Sequence, residues 1–401
     1  MPQRAPSPES PSAPSGPAAL RPPPPRWRRL RAVVLAAAVL YLLGVVAVWL
    51  ALPILGDRFW PATLFLFGPR QVIALPLLVI VPAALLLQRR ALIPAALAAA
   101  IVVGPILGYC LSLRALTGGS GRGDLRVASF NTGSRPMSIE RLKAFVAESR
   151  PDVLALQECS IPEPELTAAF PGWSVHVDRG MCLVSRYPVL EAESRDRNDV
   201  WRAGGHGAIL RYAIALPDRA APGAPHHAPV PAAATAAAGA PDAPDAPRPG
   251  AQAAPGARTF SLLNLHLETP REAIEALMHG LWKQAAEHDR VIALRAWESE
   301  LARQWVDEAP SPAVIVGDLN MPVDSAIYRR FWSGFENAFS RAGLGFGATK
   351  RTRWFGVRID HVLAGPGWTT ERAWIGPDLG SDHLPILADL RWTGSPREGS
   401  P

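Results

Sequence analysis

Cysteine is scarce in this chain of 401 residues, with three, at positions 110, 159 and 182. Three thiols supply neither a disulfide framework nor a thiolate metal cluster. Cys159 and Cys182 fall in the C-terminal half and can pair in an oxidising compartment, but two separate buried thiols are the expected state. No HExxH or CxxC spacing occurs, so the usual sequence signs of a zinc site are missing. From Ala115 onward there is no basic excess either, with 30 Lys and Arg against 33 Asp and Glu. That argues against a nonspecific nucleic-acid binder. The net charge of +6 therefore belongs to the N-terminal part.

The N-terminal part is also where charge-free length is found. Residues 1–31 read as a disordered basic tail rich in Pro, Ser and Ala, its six arginines facing the single acid Glu9. The run AVVLAAAVLYLLGVVAVWLALPIL, Ala32–Leu55, is uncharged and long enough to cross a bilayer. It is longer than the apolar core of a signal peptide. Gln71–Gln88 and Ala91–Leu113 read as two further spans, giving a membrane region over residues 32–114. Arginines cluster before the first span and, as Arg89 and Arg90, between the second and third. The positive-inside rule places both clusters in the cytoplasm. Three spans that start inside finish outside, so the following domain is expected to be extracytoplasmic, on a bacterial inner or cell membrane.

Residues 115–124, with GGSGRGD, read as a linker, and 394–401 as a tail. Over 125–393, short apolar strands alternate with helical stretches. SIERLKAFVAES is an amphipathic helix with Ser138 as N-cap and Arg141 at N3. The Ala/Pro-rich segment 217–258 reads as a disordered insertion, tolerated because lengthening a loop costs little. Its His226 and His227 are given no function.

Apolar strands in this domain repeatedly end in, or are flanked by, a polar residue that can do chemistry. These are Asn131, Glu158, His266, Asp318 with Asn320, Asp360, and Asp382 with His383. One such residue is usually a turn or capping residue; six such ends point to a site. A carboxylate set without thiolates suits a hard cation, Mg2+ or Mn2+. Such a cation with His and Asp points to phosphate-ester hydrolysis, the metal neutralising phosphate oxygens and the leaving oxygen. In AVIVGDLN, Asp318 and Asn320 are two residues apart and share a strand face. That pair can activate and orient an attacking water.

The ordered motifs FNT, LQE, NLHL, GDLN, RIDHVL and SDH, between about Leu125 and Trp392, resemble the endonuclease/exonuclease/phosphatase superfamily, the deoxyribonuclease-I-like phosphoesterases. The resemblance implies an α/β fold, a four-layer sandwich of two packed β-sheets flanked by helices, here preceded by about three transmembrane helices. It implies Glu158 as the principal metal carboxylate, with Asn131 beside it and Asp382 near the metal. Asp318 and Asn320 would position and activate the nucleophile, His266 would stabilise the transition-state phosphate, and Asp360 would orient His383. A carboxylate on one ring nitrogen fixes the tautomer and raises the basicity of the other. The implied reaction is in-line attack by water with no covalent enzyme intermediate.

Lys350, Arg351 and Arg353 are weaker candidates for contacting substrate phosphate, with Trp354 and Phe355 as an apolar wall; a solvated basic loop is the alternative. His206 is read as structural, and Trp201 and Trp332 as core or interface residues. The fold does not choose the substrate. The membrane anchor and the missing basic patch favour a phosphodiester or phosphomonoester at the membrane, such as a lipid headgroup. Extracellular nucleic acid is the runner-up. A non-catalytic binding module is the rival from another class, and a transporter is disfavoured because the spans carry no charge.

Overall fold

The computed structural model describes residues 25–116, 122–133, 137–195, 197–217, 258–271, 274–275 and 285–394. The tail up to residue 24, half of the linker, nearly all of the Ala/Pro-rich segment with His226 and His227, and the C-terminal tail lie outside the described residues.

Twelve strands build two six-stranded sheets. In chain order they are β1 (Leu125–Asn131), β2 (Val153–Gln157), β3 (Ser174–Asp178), β4 (Met181–Ser185), β5 (Val189–Ser194) and β6 (Ala208–Leu216). Then follow β7 (Arg258–His266), β8 (Ala313–Asp318), β9 (Glu336–Asn337), β10 (Asp360–Ala364), β11 (Trp368–Ile375) and β12 (Ile386–Trp392). The first sheet has the order β11-β12-β1-β2-β4-β3 and the second β9-β10-β8-β7-β6-β5. Each contains one parallel pair, β1 with β2 and β7 with β8. Parallel neighbours bring both C-terminal ends to the same edge. Asn131 therefore lies beside Gln157, and His266 beside Asp318.

Both faces of each sheet are covered, which is why these strands read as unbroken apolar runs. In β8, Val314 and Val316 point into the core between the sheets, with Val127, Tyr212, Phe260 and Val362. Ala313 and Ile315 point the other way, against Trp305, Phe331 and Trp332. On the far side of the first sheet, Phe145, Val146 and Leu166 cover Phe130 and Leu154. The layers are helix, sheet, sheet, helix. Ser138 caps the helix Ile139–Ser149 by accepting from the Arg141 N–H. Trp332 is fully buried, whereas Trp201 is exposed.

His361, on β10, is buried with Nε2 donating to the Met321 carbonyl (2.9 Å) and Nδ1 facing the Asn337 amide (3.0 Å). Neither nitrogen has room for a further proton, and burial brings its pKa down to about 4. The unfolded chain takes up this proton near pH 6.5. Stability therefore falls as pH drops from about 6.5 to 4, by roughly 2–3 kcal/mol. Denaturant melts at pH 7 and pH 4.5 check this: His361→Gln should flatten the difference, and an unchanged difference counts against the assignment.

The N-terminal part holds α1 (Pro25–Leu55), α2 (Trp60–Phe67), α3 (Leu77–Leu87) and α4 (Leu92–Ile101). Three stretches, Arg26–Leu55, Arg70–Leu87 and Arg89–Ile106, are long and apolar enough to cross a membrane. The third stops at Ile106, short of the expected Leu113. Pro105 and Gly108 break it, and Cys110–Leu111 then pairs with Leu344–Gly345 as a short antiparallel ribbon. Val34 and Ala38 pack beside Ala84 and Ala91, and Val45 beside Ala98 and Ile106. The arginine clusters at 26–31 and 89–90 thus share one end of the bundle. The opposite end, at Asp57, Arg70 and Leu107, meets the sheet domain.

Cys159 and Cys182 are not separate thiols: they form a disulfide, with their Cα atoms 5.9 Å apart. β4 pairs beside β2, Cys182 against Leu156. The chain reverses after β2, and the Cys159 N–H reaches the Gly180 carbonyl. This brings the two side chains together. With the two cysteines 23 positions apart, loop closure is worth about 3 kcal/mol.

Candidate active site

The C-terminal ends of the two parallel pairs meet across the inter-sheet core, and the polar residues gather there. Below them Gln157 Nε2 donates to Asn264 Oδ1 (2.7 Å), and Asn264 Nδ2 donates to the Leu156 carbonyl (3.2 Å). This fully buried pair ties β2 of one sheet to β7 of the other. Sequence reasoning gave Gln157 and Asn264 no role, although both stand inside quoted motifs.

Asn131 sits at the end of β1. Its Nδ2 donates to Glu158 Oε1 (3.0 Å) and to Asp318 Oδ2 (2.9 Å), and its Oδ1 accepts from the Gly133 N–H. It bridges the two carboxylates. Glu158 has φ +49 and Asn320 φ +53, a conformation uncommon for residues with side chains and favoured where function demands it. Gly317 has φ +135, and a Cβ there would lie 1.9 Å from the Leu265 carbonyl oxygen. Only glycine lets β8 run this close to β7 just before Asp318.

Asp318 is buried, and its Oδ1 accepts from the Asn320 N–H (2.8 Å). Burial foremost, and then the charge of Asp360, raises its pKa, which suits a group that must take a proton from water. Asn320 Nδ2 donates to the Leu267 carbonyl (2.7 Å). His383 Nδ1 lies 2.9 Å from Asp360 Oδ2, and its Nε2 lies 3.7 Å from Asp318 Oδ2. Burial disfavours the imidazolium, but Asp360 and Asp318 outweigh it and hold the pKa up at about 9. Ser381 Oγ donates to the Asn131 carbonyl and accepts from the His383 N–H, locking the SDH segment onto β1. His266 Nε2 is 3.5 Å from Glu158 Oε1.

A cleft of about 400 Å3 opens over this floor, lined among others by Glu158, His266, Asp318, Asn320 and His383. Of the basic candidates, Lys350 lines it and pairs with Asp382 (2.5 Å). Burial works against the Asp382 charge, yet Lys350 prevails and holds that carboxyl below its usual range. Arg351 pairs with Asp378 instead, and Arg353 lies over the Trp354 ring. His206, Glu268, Arg271 and Phe355 also line the cleft, as does Phe67 of α2. Arg271, Glu268 and Phe67 were not expected; none stands at a strand end.

The donor set fits a hard divalent cation. Glu158 is a partly exposed carboxylate lining the cleft, Asp382 is a second acid paired with the cleft-lining Lys350, and among the described residues no cysteine lines the cleft. Asp318, Asp360 and His383 also lie within 4.8 Å of one another. There, Asp360 occupies His383 Nδ1, and Nε2 is the ring atom that faces Asp318.

Two packed sheets with Asn131, His266 and Asp318 at the ends of parallel strands, Glu158 just beyond one, and the Asp360–His383 pair beside them make a phosphoesterase-type α/β sandwich. The model of the Endonuclease/Exonuclease/phosphatase family matches residues 128–383, and the chain belongs to that family. Its members are hydrolases of phosphate esters and generally use a divalent metal. Among solved structures, the chain is similar to an endonuclease/exonuclease/phosphatase from Beutenbergia cavernae, at 16% identity over 68% of this chain and 72% of that one, TM-score 0.43. A mannosyl-6-phosphatase from Bacteroides thetaiotaomicron matches at 15% identity over 67% of this chain and 100% of the other, TM-score 0.40. A 3'-5' exonuclease from Neisseria meningitidis matches at 16% identity over the same shares, TM-score 0.40. No curated protein matches.

Proposed function

We propose that this chain is a membrane-anchored phosphoesterase, dependent on Mg2+ or Mn2+, that hydrolyses a phosphodiester or phosphomonoester by in-line attack of water. The observation that carries this reading is the cluster beneath the cleft, in which Asn131 hydrogen-bonds both Glu158 and Asp318, Asp360 hydrogen-bonds His383, and His383 Nε2 stands 3.7 Å from Asp318. Glu158, with Asp382 and Asn131 nearby, would hold the cation, which neutralises phosphate oxygens and the leaving oxygen when bound. Asp318 takes the proton of the attacking water, and Asn320 orients the Asp318 carboxylate through its backbone N–H. His383, fixed by Asp360, and His266 donate to the phosphate oxygens as charge develops.

Two features support a substrate at the membrane surface. Phe67, at the end of α2, lines the cleft together with Phe355 and Val357. The sheet domain also sits on the bundle end away from the arginine clusters, consistent with an extracytoplasmic site.

The test uses the full chain in detergent with Mg2+ or Mn2+, against bis-p-nitrophenyl phosphate, p-nitrophenyl phosphate, plasmid DNA and a phospholipid mixture. Metal-dependent turnover is expected, with a metal-induced rise in melting temperature. At a hundredfold excess over Kd, that rise corresponds to about 2.7 kcal/mol. Glu158→Ala should abolish both. Preference for DNA would favour the nuclease reading, and neither turnover nor a thermal shift would leave a non-catalytic module.

A further inference from the structure

Arg295 lies in the helix Ala285–Asp307, and its side chain is fully buried. Nη1 donates to Asp57 Oδ1 (3.2 Å), Nη2 to the Asn320 carbonyl (2.7 Å) and Nε to the Glu268 carbonyl (3.2 Å). The Phe67 ring stands 5.3 Å from its Cζ. Asp57, 1% exposed, sits between the first two apolar helices, 238 positions from Arg295. Its other oxygen accepts from Ser325 Oγ (2.5 Å) and the Ile327 N–H (3.2 Å). Nearby, Thr63 of α2 contacts His288 Nε2 (3.1 Å). One guanidinium thus touches three parts of the cleft: the turn carrying Asn320, the segment at Glu268 just beyond β7, and the Phe67 wall.

The Asn320 contact matters because of the geometry it supports. Asn320 holds φ +53, and its N–H orients Asp318. Its carbonyl faces Arg295, so the guanidinium holds the strained turn from behind. An arginine's planar fork can do this while also pairing with a carboxylate; a lysine's point charge cannot. Without Asp57, the charge would be buried against carbonyls with no partner in direct contact from the first helices.

We propose that the loop between the first two apolar helices is part of the active site. Asp57 is a positioning residue that, through Arg295, holds the Asp318–Asn320 turn. Phe67, resting on the same guanidinium, is the wall the substrate meets. The proposal rests on the phosphoesterase reading for its activity arm, and has a second arm that does not.

The experiment uses the full chain in nanodiscs, below the melting temperature of every variant. It compares Asp57→Asn, Arg295→Lys, Phe67→Ala and the double variant Asp57→Leu with Arg295→Met. Readouts are kcat and KM for whichever p-nitrophenyl ester the wild type turns over, the melting temperature, and hydrogen exchange of the Gly317–Met321 amides. Asp57→Asn and Arg295→Lys should lower kcat about 10- to 100-fold, the scale of a misplaced catalytic group, with KM within about twofold. Exchange at Gly317–Met321 should speed up in both. Phe67→Ala should raise KM while leaving exchange there unchanged. The double variant removes both charges and should regain melting temperature, yet neither kcat nor protection. If it regains all three, the pair is only a structural staple and the proposal fails. Should Asp57→Asn not fold, Arg295→Lys decides, since it keeps the charge pair and removes the reach to Asn320. A wild type that turns over no ester defeats the phosphoesterase reading, and the exchange data still decide the positioning claim.

Discussion

Replacing His383 with alanine lowers kcat about a thousandfold and leaves the metal-induced rise in melting temperature intact. The size follows from removing a preorganised cationic donor from a buried site, worth about 10²- to 10³-fold, together with its part in proton transfer. The second half of the prediction separates two arrangements of the same residues. If a cation sat among Asp318, Asp360 and His383, which lie within 4.8 Å of one another, the variant would lose the thermal shift along with activity. Metal binding needs a neutral imidazole, and His383 instead has Nδ1 on Asp360 and a pKa held up at about 9. Activity and metal-dependent melting of His383→Ala and Glu158→Ala, measured side by side, decide the matter. Loss of the thermal shift in the histidine variant would move the metal to the Asp-Asp-His cluster.

A chain that begins at Gly119 unfolds more easily than the full chain, by about 3–5 kcal/mol, the scale of breaking a buried ion pair from one side. The cut removes Asp57, and with it the carboxylate that Arg295 contacts at 3.2 Å. It also strips Leu66 and Phe67 from the surface they cover and takes away Cys110–Leu111, the partner of Leu344–Gly345. Within the truncated chain, Arg295→Met should recover a large part of the loss, because an apolar side chain does not suffer from an absent counter-ion. Urea melts of the two truncated chains test this. Equal midpoints would mean that the charges of Glu268 and of Glu298, on the same helix as Arg295, already compensate the arginine.

The site was legible in the sequence where chemistry sits at the ends of buried strands. Asn131, Glu158, His266, Asp318 and His383 could be picked out because apolar runs give way abruptly to polar residues that can do chemistry. The two-sheet arrangement was implied by the resemblance that the ordered motifs carry, and the unbroken apolar runs agree with it, since strands buried on both faces lose the alternation that marks a half-exposed sheet. What could not be read was side-chain partnership across long separations. Nothing local says that Asp57, the single acid between residues 32 and 114, belongs with Arg295. In TKRTRWFG, the spacing did not reveal that Lys350 faces the cleft while Arg351 turns to Asp378. The disulfide depended on a register, Leu156 against Cys182, that is decided by the whole sheet.

That disulfide has a consequence for where the protein becomes competent. Cys159 directly follows Glu158, so the carboxylate proposed to hold the metal is anchored by a covalent bond one residue away. Such a bond persists only where thiols are oxidised. On the proposed reading, a newly made chain still in the cytoplasm carries every catalytic residue but not this anchor. On that reading, crossing the bilayer is also the step after which the backbone beside Glu158 can be pinned by its neighbouring disulfide.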